Sequence, residues 1–259
     1  MTRVVSGAVL IAIAVAVVWF APPLLFFAVA IAVAVIAVHE LIVLARAAHL
    51  QVSMTAAAFS TSMVVGSSRL PDALDLFLVT ALIGAAAVTL GGWQGGGDAL
   101  ATVSASLFPA LYIGLPVAAM VGVRALGGPP ALFLLMLTII VSDSMQYYTG
   151  RLFGRRPLAP LVSPKKTVEG ALGGVVFGTA LFTIVGAWWL PAVPAAFRAL
   201  VGVTIVALGI AGDLFESMLK RSANVKDSSS LIPGHGGILD RIDALLFAAP
   251  VYYIVLRYV

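Results

Sequence analysis

From Val4 to Phe20, and again from residue 24 to 45 with only His39 and Glu40 interrupting, the chain runs apolar for the thickness of a lipid bilayer, and the pattern returns along its length. A helix needs about 20 consecutive apolar residues to cross the hydrocarbon. Broken at Pro, Gly and charge, such stretches fall at about 4–20, 24–45, 53–67, 73–90, 100–123, 129–149, 168–190, 196–219 and 241–258. Inside hydrocarbon the backbone must satisfy its own N–H and C=O groups, which leaves helices or a closed barrel. Barrel strands would show short alternating segments, whereas these runs are continuous and rich in Ala, Val, Leu and Gly. The expected fold is therefore all-α, a polytopic transmembrane helical bundle of about nine spans forming one integral membrane domain over residues 1–259. The third stretch is short and rich in Ser and Thr, so whether it crosses fully stays open.

Composition supports the same class, since 61% of residues are hydrophobic and 10% charged, against about a quarter charged in soluble domains. Arg3 and the apolar run behind it resemble a signal peptide, but no small-x-small cleavage site precedes Ala21-Pro22-Pro23 and a second apolar run follows at once, so the segment reads as the first span. A net charge of +4 beside a bilayer sets topology and meets anionic headgroups, and no nucleic-acid partner is expected. Under this layout Arg3, Arg46, Arg151, Arg155, Arg156, Lys165, Lys166, Lys220, Arg221, Lys226 and Arg241 share one side, while Arg69, Arg124, Arg198 and Arg257 share the other. The positive-inside rule puts the first side, with the N-terminus, in the cytoplasm. With no cysteine in the chain, thiolate metal sites and cysteine nucleophiles are excluded.

Charge concentrates between Ser217 and Asp243, between two apolar segments. On a helix Asp213, Glu216, Ser217 and Lys220 share one face, and carboxylates at a membrane boundary are costly unless paired, hydrated or cation-bound. A Glu216–Lys220 pair closing a span is the plain alternative. Asp240 and Asp243 sit one turn apart at a helix start, where carboxylates often serve only as caps; beside Asp213 they would make a hard oxygen site suited to Mg²⁺ shared with phosphates. Pro233-Gly234-His235-Gly236-Gly237 is a turn whose amides can approach an anion, and His235 is either a phosphate donor or an exposed turn residue. A second basic loop carries Arg151, Arg155 and Arg156, then Ser163-Pro164-Lys165-Lys166-Thr167, with Thr167 a candidate N-cap and Lys165 and Lys166 either phosphate ligands or lipid anchors. Asp143 is an intramembrane carboxylate expected to line a polar cavity. The His39-Glu40 pair has no metal spacing of its own, and its role is open.

The segment Ser217-x-Leu219-Lys220-Arg221-x4-Lys226-Asp227-x-Ser229-x2-Ile232-Pro233-x-His235-Gly236-Gly237-Ile238-x-Asp240-Arg241-Ile242-Asp243 resembles the signature of the phosphatidate cytidylyltransferases. Gly150-Arg151-x-Phe153-Gly154-Arg155 and Ser163-Pro164-Lys165-Lys166-Thr167-x-Glu169-Gly170 are similar to the same family's preceding loop, so the resemblance spans roughly 143–243. Glu40 resembles an acidic residue usual in the second span. Ser144-Met145-Gln146 departs from the small residues expected after Asp143. The resemblance implies transfer of CMP from CTP to phosphatidic acid with Mg²⁺, giving CDP-diacylglycerol and pyrophosphate; whether a second cation joins the Mg²⁺ stays open. It also implies a homodimer, and a bacterial-type inner membrane location with the active site at the cytoplasmic face.

On that basis Asp213 and Asp240 are assigned to the metal, with Asp243 and Asp227 in support, and Asp213, Asp240, Asp243 and Lys220 to catalysis. Lys220, Arg221, Lys226 and Arg241 are assigned to CTP phosphates, aided by the Gly236 and Gly237 amides. Lys165 and Lys166 would face phosphatidate or CTP, and Ser217 would bind phosphate. A cytidylyltransferase acting on an isoprenoid-ether lipid phosphate shares this chemistry. A small-solute transporter would instead spread its charges near the bilayer midplane.

Overall fold

The Gly128-Pro129-Pro130 sequence breaks what would otherwise be one impossible helix. Ala99 to Phe153 is helical for 55 residues, about 80 Å at 1.5 Å per residue and far more than a bilayer core of about 30 Å. Gly128 adopts φ 71° and ψ −177°, a conformation open to glycine, and the following prolines cannot continue the preceding hydrogen-bond ladder. The break separates the expected spans 100–123 and 129–149. A second irregularity precedes it: Pro109, lacking an N–H, is followed by a π-helical turn over Ala110–Gly114.

The computed structural model describes residues 2–93, 99–232, 234 and 236–259, of which 2–6 by backbone only. The helices are α1 (Thr2–Phe20), α2 (Pro23–Ala47), α3 (Met54–Gly66), α4 (Leu74–Gly92), α5 (Ala99–Pro109), α6 (Leu115–Phe153), α7 (Val168–Trp189), α8 (Ala195–Ser222) and α9 (Leu239–Tyr258). Five helical stretches, at Pro23–Ala47, Pro71–Gly92, Ala99–Phe153, Val168–Trp189 and Ala195–Ser222, are long and apolar enough to cross a membrane by length and composition. The all-α polytopic class holds, and the chain is an integral membrane protein. Helix α3 has 13 residues, about 20 Å of rise, so this helix alone is too short for the hydrocarbon core. The basic loop expected before α7 contains a short antiparallel hairpin of β1 (Pro157–Ala159) and β2 (Ser163–Thr167).

The residues group into two compact units, Met1–Gly122 with Leu219–Ile242, and Val123–Met218 with Asp243–Val259. In the first, α3 packs against α2, α4 and α5, around Val64, Ala81 and Ala110. Ser53 caps α3 by accepting from the Ala56 amide, and its own amide donates to Ser106 Oγ on α5 at 3.1 Å. Arg69 stacks over the Phe27 ring at 5.7 Å.

In the second unit α7 presents a buried stripe of Gly170, Gly174, Gly178, Phe182 and Gly186, one per turn. Leu172, Val176, Ile184 and Trp188 point outward instead. Lipid tails are as apolar as leucine, so helices in a membrane associate through close backbone approach at small residues, which places large side chains on the lipid face. A Cβ at Gly174 would meet Gln146 and Ser142 of α6, and one at Gly178 would lie 2.6 Å from Val206 Cγ2 of α8. Ring pairs Phe182–Tyr252 at 5.6 Å and Phe215–Phe247 at 5.4 Å join α7 and α8 to α9. Arg198 ties the end of α7 to the start of α8 by donating to the carbonyls of Thr183, Leu190 and Val193. Overpacking such a contact costs about 1–3 kcal/mol. Gly178→Val should therefore lower the thermal midpoint of the detergent-purified protein by several degrees, while Val176→Leu, at a position 62% exposed, should leave it unchanged.

Candidate active site

Two polar clusters gather some of the expected site residues, one cluster in each unit. In the second unit the hairpin delivers Lys166 to α8, where its ammonium pairs with Asp213 Oδ2; the two side chains are 23% and 27% exposed. Ser217, one turn along α8, donates from Oγ to Asp213 Oδ1 at 3.4 Å. Asp143 on α6 lies within electrostatic reach of both Asp213 and Lys166. The unexpected Gln146 has a local use, since its Nε2 donates to Asp143 Oδ1 at 2.9 Å and to Ser142 Oγ at 3.3 Å.

Local bonds explain why the hairpin can carry a lysine there. Thr167 caps α7 by accepting from the Gly170 amide at 3.1 Å, the cap expected from the sequence. Glu169 Oε2 accepts the amides of Arg155 and Arg156 at 2.9 and 3.2 Å, and the Val168 amide donates to Arg156 O at 2.9 Å. The Gly-Arg-x-Phe-Gly-Arg segment is thus folded onto the start of α7. Lys165 remains exposed.

In the first unit Lys220 Nζ donates to Asp240 Oδ1 at 2.6 Å. Asp240 Oδ2 accepts from the Ser228 amide at 3.0 Å, Ser228 Oγ at 2.8 Å and the Gly237 amide at 2.8 Å. Only 5% of the Asp240 side chain is exposed. Burial alone would raise its pKa; the Lys220 hydrogen bond and charge, with the Gly237 and Ser228 amides, outweigh that and hold it at about 2.

Glu40 sits beneath this arrangement, 2% exposed, while the adjacent His39 faces outward. Its Oε1 accepts from Ser229 Oγ at 2.7 Å and the Ile238 amide at 3.0 Å. Its Oε2 accepts from Ser228 Oγ at 3.1 Å and the Leu239 amide at 2.8 Å. A buried carboxylate is tolerated only when so supplied with donors, and the positive end of the α9 dipole adds to the attraction. Gly236, at φ 78°, turns the chain, its carbonyl accepting from the Ile232 amide at 2.9 Å. A Cβ on Gly237 would run into Ser228 Oγ and the Glu40 carboxylate.

The Gly237 amide is given to Asp240 and the next two amides go to Glu40, because two carboxylates occupy this helix start. Arg221 Nη1 donates to Val225 O at 2.9 Å, while Lys226, Asp227 and Arg241 stay exposed. Asp243 is half-buried in the second unit, and His235 lies outside the described residues. Glu216 is fully buried. Sequence reasoning missed Ser228, an unconstrained position in the signature, and left Glu40 without a role, although an ionisable residue inside an apolar span was the signal for it.

Among the described residues no three His, Asp or Glu side chains stand together as a metal-binding group. The donor chemistry nevertheless suits a hard cation. Asp213 keeps a half-buried carboxylate with a lysine as its counter-ion and Asp143 nearby, and Asp240 offers Oδ1, whose lysine a cation could replace.

Because the folded pKa of Asp240 is depressed, its contribution to stability is full above the unfolded carboxylate value of about 3.9 and is lost as pH falls through about 2. In EDTA, the gap in thermal midpoint between wild type and Asp240→Asn should be constant from pH 8 to about 5 and shrink below about pH 4. A gap that changes between pH 8 and 6 contradicts the assignment.

The profile of the Cytidylyltransferase family matches residues 1–259. The chain is 44% identical over 126 residues to a phosphatidate cytidylyltransferase of Aquifex aeolicus, covering 48% of this chain and 46% of that one. It is 45% identical over 139 residues to the phosphatidate cytidylyltransferase of Thermotoga maritima, covering 52% and 51%. With that of Mycobacterium tuberculosis H37Rv it shares 39% over 171 residues, covering 65% and 51%. The matched stretches span about half the length of these relatives. With its profile matched from end to end, the chain belongs to the cytidylyltransferase family.

Proposed function

We propose that the protein is a CTP:phosphatidate cytidylyltransferase, a multi-pass enzyme of a bacterial-type inner membrane working at the cytoplasmic face. The observation that carries this reading is the folded signature loop, in which Lys220 pairs with a carboxylate whose remaining lone pairs are filled by Ser228 and Gly237. The names of the relatives support the same activity. The cytoplasmic face rests on the positive-inside count, and the homodimer is carried by family likeness alone.

A phosphate oxygen of phosphatidate attacks the α-phosphorus of CTP, forming the new P–O bond as the α–β bridge breaks and pyrophosphate departs with its charge. No covalent enzyme intermediate is needed. The protein's task is to align two polyanions and offset the charge developing on the leaving group. Lys220, Arg221, Lys226 and Arg241 are the proposed CTP phosphate ligands, and Lys165, Lys166 and Ser217 contact phosphatidate or CTP. His235 and the Gly236 amide are proposed to assist at the phosphates, and Asp143 to line the polar site. Asp213 and Asp240 are each proposed as Mg²⁺ ligands, with Asp243 and Asp227 as supporting candidates. When bound, the cation would draw phosphate oxygens together and stabilise the departing pyrophosphate.

Purified protein should release pyrophosphate from CTP only when phosphatidate and Mg²⁺ are both present. Asp213→Asn and Asp240→Asn should each reduce the rate by about 10²-fold or more. Wild-type protein inert under those conditions, or an active Asp240→Asn variant, overturns the reading.

A further inference from the structure

The hydroxyl of Ser228 has a single proton and stands between two carboxylates, 2.8 Å from Asp240 Oδ2 and 3.1 Å from Glu40 Oε2. The next elements of the loop are divided the same way: the Gly237 amide goes to Asp240, those of Ile238 and Leu239 to Glu40. Three consecutive amides and one hydroxyl are therefore shared by two acids that approach from opposite ends of the sequence. Rotation of Asp240 would give up the Gly237 amide and its share of the Ser228 hydroxyl, the one donor it holds in common with Glu40, and Glu40 is held in place by helix α2, with Oε1 further tied to Ser229. The Glu40 carboxylate bonds to Ser228, Ser229 and the Ile238 and Leu239 amides, and its side chain is closed off from solvent.

From this geometry we infer that Glu40 is a positioning residue. Acting through Ser228 and the amides at the start of α9, it fixes the direction in which Asp240 presents Oδ1, the oxygen facing Lys220, to the cation and the CTP phosphates. The inference rests on the cytidylyltransferase reading for what Asp240 binds, but not for the coupling itself. Glutamine at position 40 would keep the shape, replace one accepting oxygen with an N–H donor and remove the charge that holds the loop amides. Ser228→Ala would cut the hydroxyl link while leaving the Glu40 contacts to Ile238 and Leu239.

Three readouts on Glu40→Gln, Ser228→Ala and the double variant decide the matter. Amide exchange of residues 236–240 should quicken about tenfold in Glu40→Gln, with the remainder of α9 unchanged. Mn²⁺ affinity, followed by electron paramagnetic resonance, should weaken about tenfold in each single variant and no further in the double, the non-additivity expected of one linked unit. Pyrophosphate release should lose kcat about tenfold while KM for phosphatidate stays within about twofold, and Glu40→Asp, which keeps the charge, should recover part of each loss. Faster exchange with Mn²⁺ affinity and kcat unchanged would make Glu40 a merely structural cap and overturn the inference, as would additive losses in the double variant. Should Glu40→Gln fail to fold, Ser228→Ala and Glu40→Asp carry the same comparison. Wild type that binds Mn²⁺ but transfers nothing from CTP would sink the cytidylyltransferase reading alone, while the exchange and Mn²⁺ results still judge Glu40.

Discussion

A charge removed from water must be met by an opposite charge or by a full set of donors, and in a chain with this little polar surface that requirement organises everything around the site. Glu40 meets it with two amides, the Ser229 hydroxyl and a share of the Ser228 hydroxyl. Asp240 meets it with a lysine, a serine and a glycine amide. Asp213 meets it with Lys166 and Ser217. Each solution ties down part of a loop: residues 228–229 and 237–239 leading into α9 in one case, and the hairpin before α7 in the other.

The same bonds suit the proposed chemistry. Lysines already gathered at carboxylates are well placed to exchange those partners for phosphate oxygens, and carboxylates relieved of their lysines become hard ligands for a cation. Nucleotidyl transfer between two polyanions asks for this kind of preorganised charge and for no protein nucleophile. Packing supplies the rigidity behind it. The glycine stripe of α7 brings that helix onto Ser142 and Gln146, the residues beside Asp143, so lipid-driven helix association and the positioning of a polar group share one surface.

Much of this was legible in the sequence because it is periodic or local. Apolar runs gave the helices to within a few residues, the Thr167 cap follows from residue type, and the signature marked Lys220 and Asp240. What escaped was long-range. Glu40 meets its partners 188 to 199 positions away, and no spacing rule connects such residues. Ser228 escaped because its value lies in standing between two acids, which only the fold brings about. The bond from the Gly237 amide to Asp240 also escaped, because a glycine turn looks alike whether its anion is a ligand or the protein's own carboxylate. The hairpin at 157–167 is too short and too polar to announce itself as strand, whereas the brevity of α3 was legible in a third stretch both short and rich in Ser and Thr.

The most direct test of the account is the identity of the lipid product. Purified protein incubated with CTP, Mg²⁺ and phosphatidate, in parallel with an isoprenoid-ether lipid phosphate, should yield by mass spectrometry a phosphatidate-derived lipid carrying one added CMP, with the ether lipid left unmodified. Recovery of unmodified phosphatidate, or CMP found only on the ether lipid, would contradict it.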